Sequence, residues 1–303
     1  MDEKLLTILS EIRAELRRWR ISRYIFRGII FALLIFLITF SAGNVDKKPE
    51  HFVATVKIEG VISSTSYASA EKINGALEKA FKNHGTRAVF LLINSPGGSP
   101  VQAGRIYRQI VRLKKDKKIP VYAFIDDIGA SGAYYIAAAA DKIYADPSAI
   151  VGSIGVITQG VGYGELLNKI GLEDRTFTAG EHKSFLNPAR PIDDAEKAHL
   201  DSLLTELHKQ FIDAVKAGRG DKLKENPDLF SGLFWTGTQA QKLGLIDGTD
   251  DREVILKKDF VGNKEVDFSA PKDFLEELMH GAATESKAAI KEEMRTKFQF
   301  LSK

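Results

Sequence analysis

Apolar runs alternate with polar, helix-like stretches along most of the chain. The runs FVATVKI, AVFLLI and VYAFI each precede a segment whose apolar residues recur at helical spacing. This alternation predicts an α/β fold, in which a parallel sheet is layered with helices from repeated strand-helix units. The predicted strands are 52–58, 88–93, 121–125, 142–145, 151–158 and 173–178, and the predicted helices are 68–82, 100–114, 131–140 and 163–170.

Beyond Pro191 the pattern becomes helical. Residues 193–217 carry apolar side chains at the spacing of an amphipathic helix, among them Leu203, Leu207 and Phe211, and we expect this stripe to face the core. The last thirty residues have the pattern of a charged amphipathic helix, whose alternative roles are a subunit contact or a mobile tail.

A different pattern precedes the first strand. Residues 28–45 carry no charge and are rich in Ile, Leu and Phe, which predicts one transmembrane helix, with a cleaved signal peptide as the competing interpretation. Basic residues dominate the segment 1–27, so the positive-inside rule places the N-terminus in the cytoplasm and everything after the span outside it. The chain is therefore predicted to be a single-pass protein of the inner (cytoplasmic) membrane with a periplasmic, extracytoplasmic domain.

The composition of the chain argues against several classes of function and of site. The net charge of +3 is local, because basic residues crowd into residues 13–27, so no nucleic-acid surface is expected. The chain has no cysteine, which excludes disulfides, thiol nucleophiles and cysteine metal sites. No His/Asp/Glu cluster has ligand spacing and no phosphate loop is present, so we expect neither a metal nor a cofactor.

The segment DDIGASGAYYIA places Ser131 between a strand end and an Ala-rich helix. Small neighbours allow a sharp turn, and a helix N-terminus directs amides toward a developing oxyanion, as at a nucleophile elbow. The alternative is a serine that only caps the helix.

A second glycine-rich turn, INSPGGSP, also ends a strand and opens a helix. An amide of Gly97 or Gly98 can join that of Gly132 as a pair of oxyanion donors. The alternative is an ordinary strand-to-helix turn.

A serine nucleophile needs a base, and the six histidines form no triad pattern, although His182 lies in a suggestive place. The neighbouring Lys183 follows a small-residue loop. A lysine can deprotonate serine only if desolvation lowers its pKa from about 10.4 toward neutrality. A solvated surface lysine is the alternative.

The motifs NSPGG, SGAYYIAAAADKI, VGSIGVI, TAGEHKSFLNPARP and FWTGTQAQKLGLIDG together resemble the signal peptide peptidase A family in its short single-domain form. The resemblance implies a dyad of Ser131 as nucleophile and Lys183 as general base, with Ser153 orienting the lysine. It implies an oxyanion hole of Gly98 and Gly132, with Gly97 as the less favoured donor. It also implies a layered fold like that of crotonases and the caseinolytic protease subunit, assembly into homo-oligomeric rings, and degradation of signal peptide remnants.

These inferences divide the chain into a basic cytoplasmic segment (1–27), a transmembrane helix (28–45), a linker (46–51), a peptidase domain (52–250) and a C-terminal strand/helical extension (251–303). The expected function is that of a membrane-anchored serine endopeptidase acting on residual signal peptides or other membrane-associated peptides. The alternatives are a crotonase-like thioester enzyme that uses only the oxyanion hole, and a catalytically inactive membrane scaffold.

Overall fold

The computed structural model describes residues 23–24, 26–33, 35 and 50–271. The chain divides into two compact units, Met1–Lys48 and Pro49–Lys303. The described residues of the first unit are helical and exposed, and most of the predicted span at 28–45 lies outside the described residues. Within the described ranges, no helix combines the length and the apolar character that crossing a bilayer requires.

The second unit is built on a seven-stranded sheet with the order β6-β5-β3-β2-β1-β7, in which β4 pairs beside β3. All pairs are parallel except β5 with β6. The carboxyl ends of the central strands therefore meet at one edge of the sheet. The strands are β1 (Phe52–Glu59), β2 (Thr86–Ser95), β3 (Val121–Ala130), β4 (Lys142–Ala145), β5 (Ile150–Gly152), β6 (Phe234–Thr236) and β7 (Lys264–Asp267).

Helices cover the sheet on both faces. Alternate residues of β2 point to opposite sides, so that Leu91 and Ile93 join the main core while Phe90 joins a second, aromatic cluster. Burial of both faces explains why β1 and β2 are nearly continuous apolar runs. The helices are α1 (Ala70–Lys82), α2 (Pro100–Lys117), α3 (Gly132–Ala137), α4 (Gly164–Lys169), α5 (Asp194–Arg219), α6 (Gly237–Lys242) and α7 (Arg252–Asp259), and a 3-10 turn spans Gly220–Lys222.

Most predicted elements are confirmed, and β4 has the predicted bounds. The strand predicted at 173–178 is wrong, since these residues form no strand and all are exposed. The strand predicted at 151–158 is reduced to β5. A strand requires a hydrogen-bonded neighbour, and the described residues of one chain provide none for 173–178.

The predicted core-facing stripe of α5 is wrong for the first half of the helix. Leu203 and Leu207 are exposed, whereas Phe211, Ala214 and Val215 are buried. The described residues therefore leave Leu203 and Leu207 exposed, while Leu200 and Leu204 are half-buried. The amphipathic helix predicted for the last thirty residues lies outside the described residues, which end at 271.

Candidate active site

Ser131 lies in the turn between β3 and α3 with φ 53° and ψ −124°. Positive φ is rare for a residue with a side chain and is kept only where the surroundings impose it. Here the Ser131 amide donates to the Gly152 carbonyl at 2.8 Å, and the Ser131 carbonyl accepts from the Tyr135 amide at 2.9 Å. The strained turn is therefore fixed from both sides.

The Ser131 side chain does not cap the helix. It makes no capping hydrogen bond to α3, so the capping alternative raised from the sequence is not what the structure shows. A half-buried serine on a strained strand-to-helix turn has the geometry of a nucleophile elbow.

The glycine-rich loop after β2 packs directly against this turn. Gly97 has φ 96°, and a β-carbon there would lie 2.7 Å from the Gly132 nitrogen and 2.8 Å from the Ser131 β-carbon. Gly98 has φ 147°, and a β-carbon there would lie 2.2 Å from the Ile62 carbonyl oxygen. Both positions therefore require glycine for conformation and for space.

Three hydrogen bonds hold the loop. Two join backbone groups, and the third runs from a backbone amide to a buried side chain. The Ile62 amide donates to the Gly97 carbonyl at 2.9 Å, and the Ser99 amide donates to the Ile62 carbonyl at 2.8 Å. The Gly97 amide donates to the buried Ser95 hydroxyl at 3.1 Å. Because the last of these bonds occupies the Gly97 amide, the geometry favours the prediction that Gly98 is the donor.

The amides of Gly98 and Gly132 lie close together. The Gly98 nitrogen is 3.4 Å from the point where a β-carbon on Gly132 would stand. Gly132 is the first residue of α3, so its amide has no acceptor within the helix. The backbone nitrogens of Gly98 and Gly132 therefore lie near the Ser131 turn, and their role as oxyanion donors stays a prediction.

Ser153 is the second serine at this edge. Ala130 and Gly152 are register partners in β3 and β5, so Ser131 and Ser153 follow adjacent strands, whose spacing is about 4.8 Å. Ser153 also has a positive φ of 51°, and its amide donates to the Leu233 carbonyl at 2.8 Å. The fold thus brings the two serines side by side.

Lys183 lies elsewhere in the same chain. It is exposed and follows Gly180 in a turn that its own amide closes by donating to the Gly180 carbonyl at 3.1 Å. Among the contacts of the described residues, none joins Lys183 to Ser131 or Ser153. The role of Lys183 stays a prediction.

Helix α5 contacts the segment of Lys183 near one end and the serine turn near the other. Ser184, next to Lys183, is hydrogen-bonded to Arg190, which pairs with Glu196 in the first turn of α5. The opposite half of α5 is tied to the serine turn, because Phe211 stacks on Tyr135 with ring centroids 4.9 Å apart. Fifteen helical residues separate Glu196 from Phe211, a distance of about 22 Å along the axis.

Sequence reasoning missed Arg190, Glu196 and His208. The His208 ring Nε2 lies 3.0 Å from the carbonyl oxygen of Ile154, the residue after Ser153, and so ties α5 to that loop. A pairing across a helix cap has no recognised spacing, and a histidine bound to a backbone carbonyl matches no triad pattern. No sequence signal pointed to these three residues.

A cavity of about 650 Å³ is lined by residues from the middle of β3 and the end of β4, and its lining does not include Ser131. Its lining includes Asp126, Asp127, Asp146 and Arg252. Burial raises the pKa of Asp126, which nearby Arg252 opposes and Asp127 reinforces. Among the described residues, no group of three or more His, Asp or Glu side chains is arranged to hold a metal ion.

Several known proteins are similar in sequence to this chain. The model of peptidase family S49 matches residues 113–260. The chain is 31% identical over 254 residues to "Putative protease MJ0651" of Methanocaldococcus jannaschii, covering 78% of this chain and 81% of that protein. It is 31% identical over 217 residues to "Putative signal peptide peptidase SppA" of Enterococcus faecium, covering 69% of this chain and 62% of that protein.

A further match is to a longer protein. The chain is 52% identical over 186 residues to "Na(+)/H(+) antiporter NhaA" of Brucella abortus (strain 2308), covering 61% of this chain and 25% of that protein. The chain thus spans about a quarter of the length of this relative.

Proposed function

The chain belongs to peptidase family S49, and from this premise we propose that it is a membrane-anchored serine endopeptidase with Ser131 as nucleophile and Lys183 as general base. The observation that carries the proposal is the Ser131 turn, a strained serine that does not cap its helix and adjoins two convergent amides. A capping serine has no need of positive φ. A nucleophile does, because the turn presents its hydroxyl to a substrate.

In the proposed reaction, the Ser131 hydroxyl attacks the scissile carbonyl while the Lys183 amine takes its proton. The amides of Gly98 and Gly132 donate hydrogen bonds to the oxyanion of the tetrahedral intermediate. Lysine then gives the proton to the leaving amine, so that the C–N bond breaks and the acyl group stays on Ser131. Water, deprotonated by Lys183, hydrolyses the ester, and Ser153 orients the lysine in both steps.

We further propose that the serine and the lysine of each site come from two copies of the chain. The separation along α5 supports this, since the segment of Lys183 is held at one end and the serine turn contacts the other. The segment 156–186 between β5 and α5, here called the arm, carries large apolar side chains that are exposed in one chain, with Phe177 exposed to 93%. Contact with a neighbouring copy in a homo-oligomeric ring would bury them.

The proposed substrates are signal peptide remnants and other membrane-associated peptides. One relative is named for signal peptide cleavage, and the uncharged residues 28–45 would hold the domain at the membrane where such remnants remain. The proposed orientation has the N-terminus in the cytoplasm and the second unit on the extracytoplasmic side of the inner membrane. The layered arrangement of helices on both faces of the sheet supports the crotonase-like fold that the resemblance implies.

The test is the cleavage of short apolar peptides by the full-length chain in detergent. Ser131→Ala and Lys183→Ala are each expected to lower kcat by at least about 10³-fold, whereas Lys169→Ala, which removes another exposed lysine of the same arm, should leave kcat unchanged. Activity that persists without Ser131 would favour the crotonase-like alternative, and no turnover in the wild type would favour the inactive scaffold.

A further inference from the structure

We infer that Arg190 and Glu196 are positioning residues that hold the segment carrying Lys183 in its working geometry. This inference rests on the proposed role of Lys183. Neither residue contacts Ser131 or Ser153 among the described contacts, so both would act through the backbone around the lysine.

The Arg190 guanidinium connects the lysine segment to α5. Its Nη2 donates to the Ser184 carbonyl at 3.0 Å and to Glu196 Oε1 at 2.5 Å. Its Nη1 donates to the Pro191 carbonyl at 3.2 Å. One planar group therefore contacts the residue after Lys183, Pro191 two residues before the helix cap, and the first helical turn. A lysine could not make these contacts together, because its ammonium is a single point.

Glu196 is buried to an unusual degree for a carboxylate. It is 3% exposed, and its Oε2 is buried without a hydrogen-bond partner among the described residues. Burying a charge costs free energy that one ion pair seldom recovers, so pairs of this kind are poor stabilisers. A defined geometry for the lysine segment is a reason for the chain to keep such a pair.

Further bonds hold the rest of the segment. The Asn187 side-chain amide donates to Asp174 Oδ2 at 2.8 Å. The Tyr163 backbone amide donates to the Pro188 carbonyl at 2.8 Å. The charged groups that face Arg190 besides Glu196 are Asp193 and Asp174. The Ser184 carbonyl, next to Lys183, accepts from both the Asn187 backbone amide at 3.0 Å and Arg190, and Arg190 connects it to α5.

Helix α5 gives the Arg190–Glu196 pair a rigid base. Asp193 caps the helix by accepting from the Glu196 amide at 2.7 Å. Phe211 and His208 anchor its other half to the Ser131 and Ser153 loops. The position of the lysine is therefore set relative to the serine turns by one continuous helix, which suits a segment that must meet a neighbouring copy in one geometry.

The experiment compares Glu196→Gln and Arg190→Lys with the wild type in the full-length chain. Glu196→Gln keeps the shape of the side chain and removes its charge. We expect it to lower kcat at least about ten-fold, because displacements near 1 Å cost up to about 10²-fold, while KM changes less than about two-fold. We also expect a displaced kcat–pH profile, since the base is held in altered surroundings. Arg190→Lys should retain intermediate activity.

The matched control is Asp213→Asn, which breaks the exposed Lys209–Asp213 ion pair on the same helix and should change nothing. Thermal melting and mass measurement of the assembly accompany each variant. Wild-type kcat and pH profile in Glu196→Gln would overturn the inference, and so would a loss that merely follows unfolding or dissociation. Should Glu196→Gln fail to fold, the kcat and pH profile of Arg190→Lys decide by the same criteria. Full activity in Lys183→Ala would instead refute the proposed function itself.

Discussion

At the scale of single residues, Gly98 lies where a β-carbon has no room. We expect Gly98→Ala to displace the loop, because the new β-carbon would stand 2.2 Å from the Ile62 carbonyl oxygen at a φ of 147°. The Gly98 amide would leave the oxyanion site, and kcat should fall by about 10²–10³-fold. The control is Gly75→Ala in α1, where a β-carbon meets nothing within 4 Å. Equal kcat in both variants would remove Gly98 from the oxyanion hole.

The sequence predicted the neighbourhood of Ser131 because its determinants are local. Small residues around Ser131 and the paired glycines before Pro100 specify tight turns, and consecutive parallel strands place such turns at one edge. The location of Lys183 depends on Arg190, Glu196 and the length of α5. The contacts of Arg190 with Ser184 and Glu196 span only six residues each but follow no recognised motif, and the contact of α5 with the serine turn is tertiary.

At the scale of elements, Asp247 ties the end of α5 to the start of β4. Its Oδ2 accepts from the buried Arg219 at 2.7 Å and from the Ile143 amide at 2.8 Å, and its Oδ1 accepts from Lys222 at 2.7 Å. Burial raises the pKa of Asp247, but hydrogen bonds from Arg219 and Lys222 outweigh it, and the pKa is held below its usual range. The carboxylate therefore stays charged in the folded state.

We expect Asp247→Asn to lower the free energy of unfolding by about 3–5 kcal/mol, because Arg219 would be left buried without its counter-charge. Since the folded-state pKa is lowered, the stabilisation is complete above the unfolded value of about 3.9 and is lost as the pH falls through the lower folded value. The test is the free energy of unfolding of the wild type and of Asp247→Asn, measured in urea from pH 3 to 7. An equal difference from the wild type at every pH would contradict the assignment, and Asp213→Asn, whose ion pair is exposed, should change stability by less than about 1 kcal/mol.

Elements inside the sheet were predicted well because burial on both faces leaves an unmistakable apolar run, as in β1 and β2. The segment 156–186 and the first half of α5 were predicted less well. Leu203 and Leu207 have the spacing of a core stripe, but periodicity shows only that a face is apolar and not what covers it. The strand prediction for 173–178 fails because no described strand of the same chain pairs with this segment.

At the scale of the whole molecule, the separation of Lys183 from Ser131 predicts complementation between inactive subunits. If each site takes its serine and its lysine from different copies, random mixing of Ser131→Ala and Lys183→Ala chains restores both groups in about a quarter of the sites. The mixture, dissociated and reassembled, should therefore recover peptide cleavage that neither variant shows alone. Unmixed variants taken through the same procedure are the control. A mixture as inactive as its components would place the dyad within one chain.

The measurement that tests the central claim most directly is covalent labelling of the full-length chain with a serine-acylating or serine-phosphonylating probe, read by peptide mass mapping. The account predicts one adduct per chain, on Ser131, absent from Ser131→Ala, greatly slowed in Lys183→Ala and unchanged in Lys169→Ala. An adduct on another serine, or labelling of Ser131 at the same rate without Lys183, would contradict the proposal that these two residues form the catalytic pair.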